Sequence, residues 1–477
     1  MTDTETRPGL RSRLDGFFEI TKRGATWGGE VRGGLVTFVT MAYIVILNPI
    51  ILSGSKDVLH HSLQFTAVAA VTALTAGVMT ILFGLIARLP FAFAAGLGIN
   101  SFLAVSVVGQ VTWPEAMGLV VIEGLVIVVL SATGLRRMIF DAVPYALKIA
   151  ITVGIGLFIA FIGLVDAGLV KSTGLASPPV GLGSDGSIAT IPTVVFVLTL
   201  LITGILVARK VKGGILIGLV VGTILAVVAE AIWHLGAQPK NPAGWNLSVP
   251  KIDGSWFSVP DLSLVGHVSF DFGRVGVLTA VMLVFTLVFS NFFDAMGTMT
   301  GLSKEAGLAD KDGTFPRLKS ALIVEGVGAV AGGLTSGSSN TVFIESGAGI
   351  GEGARTGFAN VVTGVLFLLA MFFTPIAQIV PSEVAAAALV IVGALMMAQI
   401  RSIDLGDFRV LLPVFLTVVI MPLTYSIANG IGVGFISWVV VSAFSGKVRQ
   451  IHWLLWVVAA GFAIYFARGP IEALFAH

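Results

Sequence analysis

Apolar runs of about twenty residues recur from one end of this chain to the other, and a run of that length, coiled as an α-helix, matches the hydrocarbon thickness of a bilayer. Gly33–Leu52, Thr66–Ala87, Glu115–Gly134, Tyr145–Val165, Thr190–Ala208 and Gly213–Leu235 form a first series. A polar stretch bearing Trp and Pro, Gln238 to Gly273, separates it from a second: Arg274–Gly301, Lys319–Leu334, Phe358–Val380, Glu383–Ile400, Val410–Thr424 and Ile427–Ser445. Two further segments, Pro90–Val108 and Gly337–Ile350, are interrupted by Gly, Ser and Asn. Each reads as a short extended stretch joined to a half-helix, a form tolerated at membrane depth only where protein or a cavity surrounds it.

The expected architecture is therefore an all-α membrane protein of about fourteen transmembrane segments, arranged as a seven-plus-seven inverted repeat with broken third and tenth segments. Two odd-numbered repeats enter the bilayer from opposite sides, and interrupted segments at matching positions point to a substrate site. Composition closes the alternatives. With 56% hydrophobic and 11% charged residues, the chain cannot clothe a soluble domain, and its net charge of +2 gives no footprint for nucleic acid. There are no cysteines, hence no disulfide framework or thiolate metal site. The 58 glycines suit close-packed or broken membrane helices.

Basic residues orient the chain. The polar head Met1–Arg32 carries Arg7, Arg11, Arg13, Lys22, Arg23 and Arg32. With both termini cytoplasmic, inside segments also hold Arg88, Arg136, Arg137, Arg209, Lys210, Lys212, Lys304, Lys311 and Arg317, among others, against Lys56, Lys171, Lys240 and Lys251 outside. An integral plasma (inner) membrane protein is expected, embedded in the lipid bilayer. Ile451–Ala467 reads as a Trp-bearing interfacial helix, with an extra span as the alternative.

Ionisable side chains at membrane depth are costly, about 2.5 kcal/mol or more, so each is a functional candidate. Asp294 follows some twenty uncharged residues in Ser290-Asn291-Phe292-Phe293-Asp294-Ala295-Met296-Gly297-Thr298. Glu345 falls in Ser338-Ser339-Asn340-Thr341-Val342-Phe343-Ile344-Glu345-Ser346-Gly347, where extended chain gives way to half-helix. A carboxylate that accepts paired N–H groups, flanked by aromatic faces, suits a flat, neutral, N–H-rich heterocycle such as a nucleobase. The same carboxylate can carry a proton as its exposure alternates. In Ala94-Ala95-Gly96-Leu97-Gly98-Ile99-Asn100-Ser101-Phe102, Gly96 and Gly98 let the backbone approach a ligand closely, free N–H groups at the start of the half-helix can bond ring acceptors, and Asn100 offers an amide. Glu325 reads equally as a proton relay or a structural acid, and Glu123 as a structural acid bonding a broken helix. Glu230 lies near a membrane end. Glu352 and Arg355 are spaced for a local pair. All six histidines fall in loops, ends or interfaces, so no metal site is read, and neither a cofactor nor enzymatic chemistry is called for.

The motifs N-F-F-D-A-M-G-T at Asn291–Thr298, G-L-G-I-N-S-F at Gly96–Phe102, and F-I-E-S-G-A-G-I followed by G-A-R-T-G at Phe343–Gly357 resemble the azaguanine-resistance branch of the nucleobase/cation symporters, within the xanthine/uracil permease superfamily. The resemblance spans nearly the whole chain. It implies a proton-coupled permease for adenine, guanine or hypoxanthine, sodium being the less expected ion, built as a core domain moving against a gate domain. It places core segments at 33–134 and 274–380 and gate segments at 135–236 and 381–446, with a cytoplasmic head at 1–32, an extracellular connector at 237–273 and a tail at 447–477. Asp294, Glu345 and Asn100 are implied to line the purine site, with Gly98, Phe343, Phe293, Ser346 and Thr341 completing the candidate set. Asp294, Glu345 and Glu325 are the candidate proton carriers. Glu325 stands where Asp is expected, and Asn340 and Val342 lie in a stretch usually richer in Ser and Thr. Other readings are an anion exchanger or channel of the same architecture, which two acids in the path would oppose, and a uracil, xanthine or urate carrier. Analogy with the fold suggests a homodimer through the gate domain.

Overall fold

Helices form where the apolar runs predict them, and several of them start at a side-chain cap. The structure, a computed structural model, describes residues 10–467 except 136–141, 176, 184–185, 189, 239, 253–255 and 311–314. Arg7, Arg136, Arg137, Lys311 and His477 thus lie outside the described residues. The first half comprises α1 (Leu10–Phe18), α2 (Trp27–Met41), α3 (Ile44–Ser53), α4 (Phe65–Ile86), strand β1 (Phe93–Ala95), α5 (Leu97–Phe102), α6 (Trp113–Thr133), α7 (Tyr145–Asp166), strands β2 (Val170–Ser172) and β3 (Val180–Leu182), α8 (Ile191–Ala208) and α9 (Gly214–Trp233). The second comprises α10 (Gly276–Glu305), α11 (Leu318–Leu334), strand β4 (Asn340–Val342), α12 (Ser346–Gly351), α13 (Gly357–Ala370), α14 (Thr374–Ala377), α15 (Ser382–Met397), α16 (Phe408–Leu423), α17 (Ile427–Ser442) and α18 (Trp453–Phe466). Thr112 and Glu115 form a reciprocal capping box at the start of α6, and the Thr26, Thr190, Thr356, Asp407 and Ser426 side chains accept N–H groups at the first turns of α2, α8, α13, α16 and α17.

Among the described residues, ten helices are long and apolar enough to cross a membrane. The first of these starts at Trp27, not at Gly33, and its buried face takes in Glu30. It is also not continuous: the chain turns at Ala42–Tyr43 before α3.

The helices pack in two groups. One contains α2, α3, α4, α6, α11 and α13, with α6 against α11 and α4 against α13; the other contains α7, α8, α9, α15, α16 and α17, centred on α7 between α15 and α16. Helix α10 touches α6 in the first group and α7 and α17 in the second. The terminal helix α18 packs on α17 and α10, burying Leu455 and Phe462. Its 14 residues rise about 21 Å, short of the roughly 30 Å of hydrocarbon.

The polar connector is anchored to both groups. Trp245 is fully buried and its Nε1 donates to Glu230 Oε2 at 2.9 Å, while the Asn246 amide donates to Glu383 Oε1 at 2.9 Å. Farther along, the Phe257 ring stacks on Phe372, and the Ser269 amide donates to the Pro114 carbonyl.

The interrupted segments meet at the centre. Strands β1 and β4 pair antiparallel, Phe93 opposite Val342, Ala94 opposite Thr341 and Ala95 opposite Asn340, and every residue of both strands is buried. The ladder extends at both ends, with the Gly96 amide donating to Ser339 O and the Phe343 amide to Ala92 O. A two-stranded ribbon is too small to satisfy its own outer edges in a dry interior. Side chains complete it: Thr80 Oγ1 accepts the Phe93 amide and donates to the Phe93 carbonyl, Ser346 Oγ accepts the Ala92 amide, and Asn360 Nδ2 donates to Phe91 O.

Candidate functional site

The ribbon delivers two half-helices of six residues each, α5 after β1 and α12 after β4. Helix α10, which carries Asn291, Phe293 and Asp294, packs against both half-helices and against β4. The third, eighth and tenth segments are thereby brought together, and α7 of the second group closes on α5.

Glu345 occupies the N-cap position of α12 and is half-buried. Its Oε1 accepts a hydrogen bond from the Tyr43 hydroxyl at 2.5 Å, and Tyr43 is fully buried at the turn between α2 and α3. Asp294, also half-buried, lies one turn beyond Asn291 and within electrostatic range of Glu345 and Glu325. Glu325 is fully buried on α11.

Asn100 is fully buried on α5, and neither its amide nitrogen nor its amide oxygen has a hydrogen-bond partner within the protein; Thr341 Oγ1 on β4 is likewise without one. Buried polar atoms in such a state are expensive, about 1–3 kcal/mol on the scale of mutational data. They mark positions kept for something other than stability.

The remaining candidates have structural partners. Ser346 Oγ bridges the Ala92 amide and the Phe343 carbonyl. Phe343 is buried, with its amide in the ladder extension. The Phe293 ring lies edge-on to Phe289 and Phe292. Gly98 faces α7: a β-carbon there would come within 2.5 Å of Ile155 Cγ2, so the glycine permits close approach of a helix. Gly96 faces Thr341 and the Ser339 carbonyl across the ribbon.

Three features lie beyond the sequence reading. Tyr43 sits inside an apolar run with no periodic signal to mark it, although it is one of only four tyrosines. The Glu123 carboxylate does bond the broken segment, accepting at Oε1 from Ser339 Oγ at 3.0 Å, but it also accepts from Asn291 Nδ2 at 2.8 Å and so reaches α10. The local Glu352–Arg355 pair does not form. Glu352 instead pairs with Arg32 at 2.8 Å and with Lys212, while Arg355 Nη1 donates to the carbonyls of Ile350 and Ala354.

A multi-pass helical bundle with two interrupted segments paired at its centre, and carboxylates beside them, defines an integral membrane transporter. Comparison with known proteins narrows this. The Permease family model matches residues 28–433, and the chain belongs to that family, one of transporters and not of enzymes. It is 38% identical to the guanine/hypoxanthine permease PbuG of Bacillus subtilis, covering 94% of this chain and 98% of that one. It is 34% identical to the adenine permease AdeP of Escherichia coli, covering 96% and 97%. The resemblance to the azaguanine-resistance branch is borne out. Among solved structures, the transmembrane domain of the cyanobacterial bicarbonate transporter BicA superposes with a TM-score of 0.60 at 18% identity, covering 84% of this chain and 96% of that one. The murine solute carrier 26 family member A9 anion transporter gives 0.59 at 10% identity, covering 93% and 74%. These share the fold.

Proposed function

We propose that the protein imports purine nucleobases, adenine, guanine or hypoxanthine, by proton symport. The observation that carries this reading is the ribbon of β1 and β4, from which the half-helix bearing Asn100 and the half-helix capped by Glu345 both lead off against α10, the helix of Asp294. The purine class is supported by the names of the relatives. Fourteen segments form the membrane domain, both termini facing the cytoplasm of a plasma-membrane protein. The first helix group, with the two half-helices and α10, is the core (33–134 and 274–380); the second is the gate (135–236 and 381–446). Purine binds between α5 and α12, Glu345 accepting ring N–H groups and Asn100 offering donor and acceptor to the ring edge. Asp294 is the second polar contact and, with Glu345 and Glu325, carries the proton. Movement of core against gate exposes the site to each side in turn. The second group's approach to α5 through Ile155 makes α7 the surface against which the core slides.

The test is uptake of labelled adenine, guanine, hypoxanthine and uracil into proteoliposomes, with and without an inward proton gradient and without sodium. Gradient-dependent purine accumulation that Glu345→Gln weakens by raising KM supports the reading. Purine flux indifferent to the gradient removes the proton role, and anion-driven flux without purine transport removes the reading altogether.

A further inference from the structure

Resting on the proton-coupled reading above, we propose that Glu123 of α6 is a further proton-holding residue of the transport cycle, acting on the tenth segment through Ser339. Its geometry is that of a positioning residue. Glu123 is fully buried, and its Oε1 closes a triangle with two equally buried side chains: Asn291 Nδ2 at 2.8 Å, Ser339 Oγ at 3.0 Å, and Asn291 Nδ2 to Ser339 Oγ at 3.1 Å. Those partners belong to the elements that build the site. Asn291 is one helical turn before Asp294 on α10, and the Ser339 carbonyl receives the Gly96 amide at the head of the half-helix that carries Asn100.

A merely structural carboxylate would satisfy both of its oxygens. Here Oε2 is buried without a partner, and so is Asn291 Oδ1, leaving acceptors in excess of donors. A proton on the carboxyl supplies the missing donor. The surroundings offer no cation in its place. Helices α11 and α10 pack on α6; their charged residues are Lys319, at the start of α11, Lys304 and Glu305, at the end of α10, and Glu325 and Asp294 in the interiors. On α6 itself the other acid, Glu115, is occupied by the Thr112 amide in the capping box.

Glu123 and Glu325 lie within electrostatic range of one another, as do Glu325 and Asp294, and Asp294 and Glu345. Like charges disfavour one another in a medium of low dielectric, so four carboxylates in such a series form a group among which protons can be shared. Loss of the proton from Glu123 leaves a carboxylate whose negative charge is shared by its two oxygens, so Oε1 becomes a stronger acceptor for Ser339 and Asn291 and both bonds tighten. Its return loosens them. The protonation state of Glu123 is thereby transmitted to Ser339, at the entry to β4, and to the turn bearing Asp294.

Glu123→Gln separates this role from simple bracing, because the amide oxygen accepts the same two hydrogen bonds and cannot ionise. Purified wild type and variant are compared in proteoliposomes for purine counterflow at equal pH and for accumulation under an inward gradient of one pH unit, which can drive about tenfold accumulation for each proton coupled. The expected result is counterflow retained within about twofold, a flattened pH profile, and accumulation that falls from about tenfold to near unity. A Gln variant with wild-type accumulation and pH profile overturns the proposal. So does a folded Gln variant, judged by an unchanged melting curve, that loses counterflow as well, since Glu123 would then only brace the segment. Wild-type protein that moves no purine, or moves it without regard to the gradient, overturns the underlying reading and is recognised before any variant is compared.

Discussion

Glu30 tests how the first helix is fastened to the rest of the first group. Its carboxylate is fully buried and accepts three backbone amides at the start of α13: Arg355 at 2.8 Å and Thr356 at 3.0 Å on Oε1, and Ala359 at 3.1 Å on Oε2. The Thr356 and Ala359 amides are among the donors that a helix start leaves unsatisfied, and Arg355 is the residue just before them, so one side chain from α2 completes the amino end of α13. Hydrogen bonds to a charged group contribute about 1.5–3 kcal/mol each, so Glu30→Ala should cost about 5 kcal/mol. Glu30→Gln should cost less, because its oxygen can keep the Arg355 and Thr356 bonds while its NH2 confronts the Ala359 amide as donor against donor. Melting of the purified protein in detergent, followed by intrinsic fluorescence, gives the assay. The order expected is wild type, then Gln, then Ala. An Ala variant that melts with the wild type, or a Gln variant that melts below it, would refute the claim that this carboxylate ties α2 to α13.

Two further outcomes follow from the same geometry. Asn100→Leu should abolish purine uptake while leaving the melting temperature equal or higher, because it removes two buried polar atoms that have no partner in the protein; uptake and melting curves on one preparation decide it. Trp245→Phe deletes the Nε1 donor to Glu230, at a cost of about 1.5–3 kcal/mol, and should expose the connector to trypsin at Lys240 and Lys251, read as faster cleavage by gel.

The membrane class and the broken segments were legible because each has a local signature: a run of apolar length, and a Gly, Ser and Asn interruption within it. Their pairing was not, since register between residues 93–95 and 340–342 depends on contacts some 245 residues apart in the chain. Asp294 and Glu345 were legible as acids at membrane depth, one in a long uncharged run and one in an interrupted segment, whereas Tyr43 hid in an apolar run that looks continuous. Gly96 and Gly98 signal a close approach to the backbone, read as that of a ligand; at Gly98 the neighbour is Ile155 of α7 instead, a helix contact that no local pattern announces. Glu352 and Arg355 illustrate the opposite error. Sequence spacing proposed a local pair, and the fold offered Glu352 two cations, Arg32 and Lys212, from distant segments.

The buried ribbon also bears on how such a chain can change over generations. Side chains alternate across a strand, so dropping or adding one residue between Ser339 and Val342 would exchange Asn340 and Val342 for Thr341 on each face and misalign the Thr80 and Ser346 clasps at the edges. Surface loops absorb length changes at little cost. Here there is no slack to absorb one. Diversification of this centre is therefore confined to swapping side chains at fixed length, and a library of single-codon deletions should show a sharp dead zone over 93–95 and 339–343 beside tolerant loops.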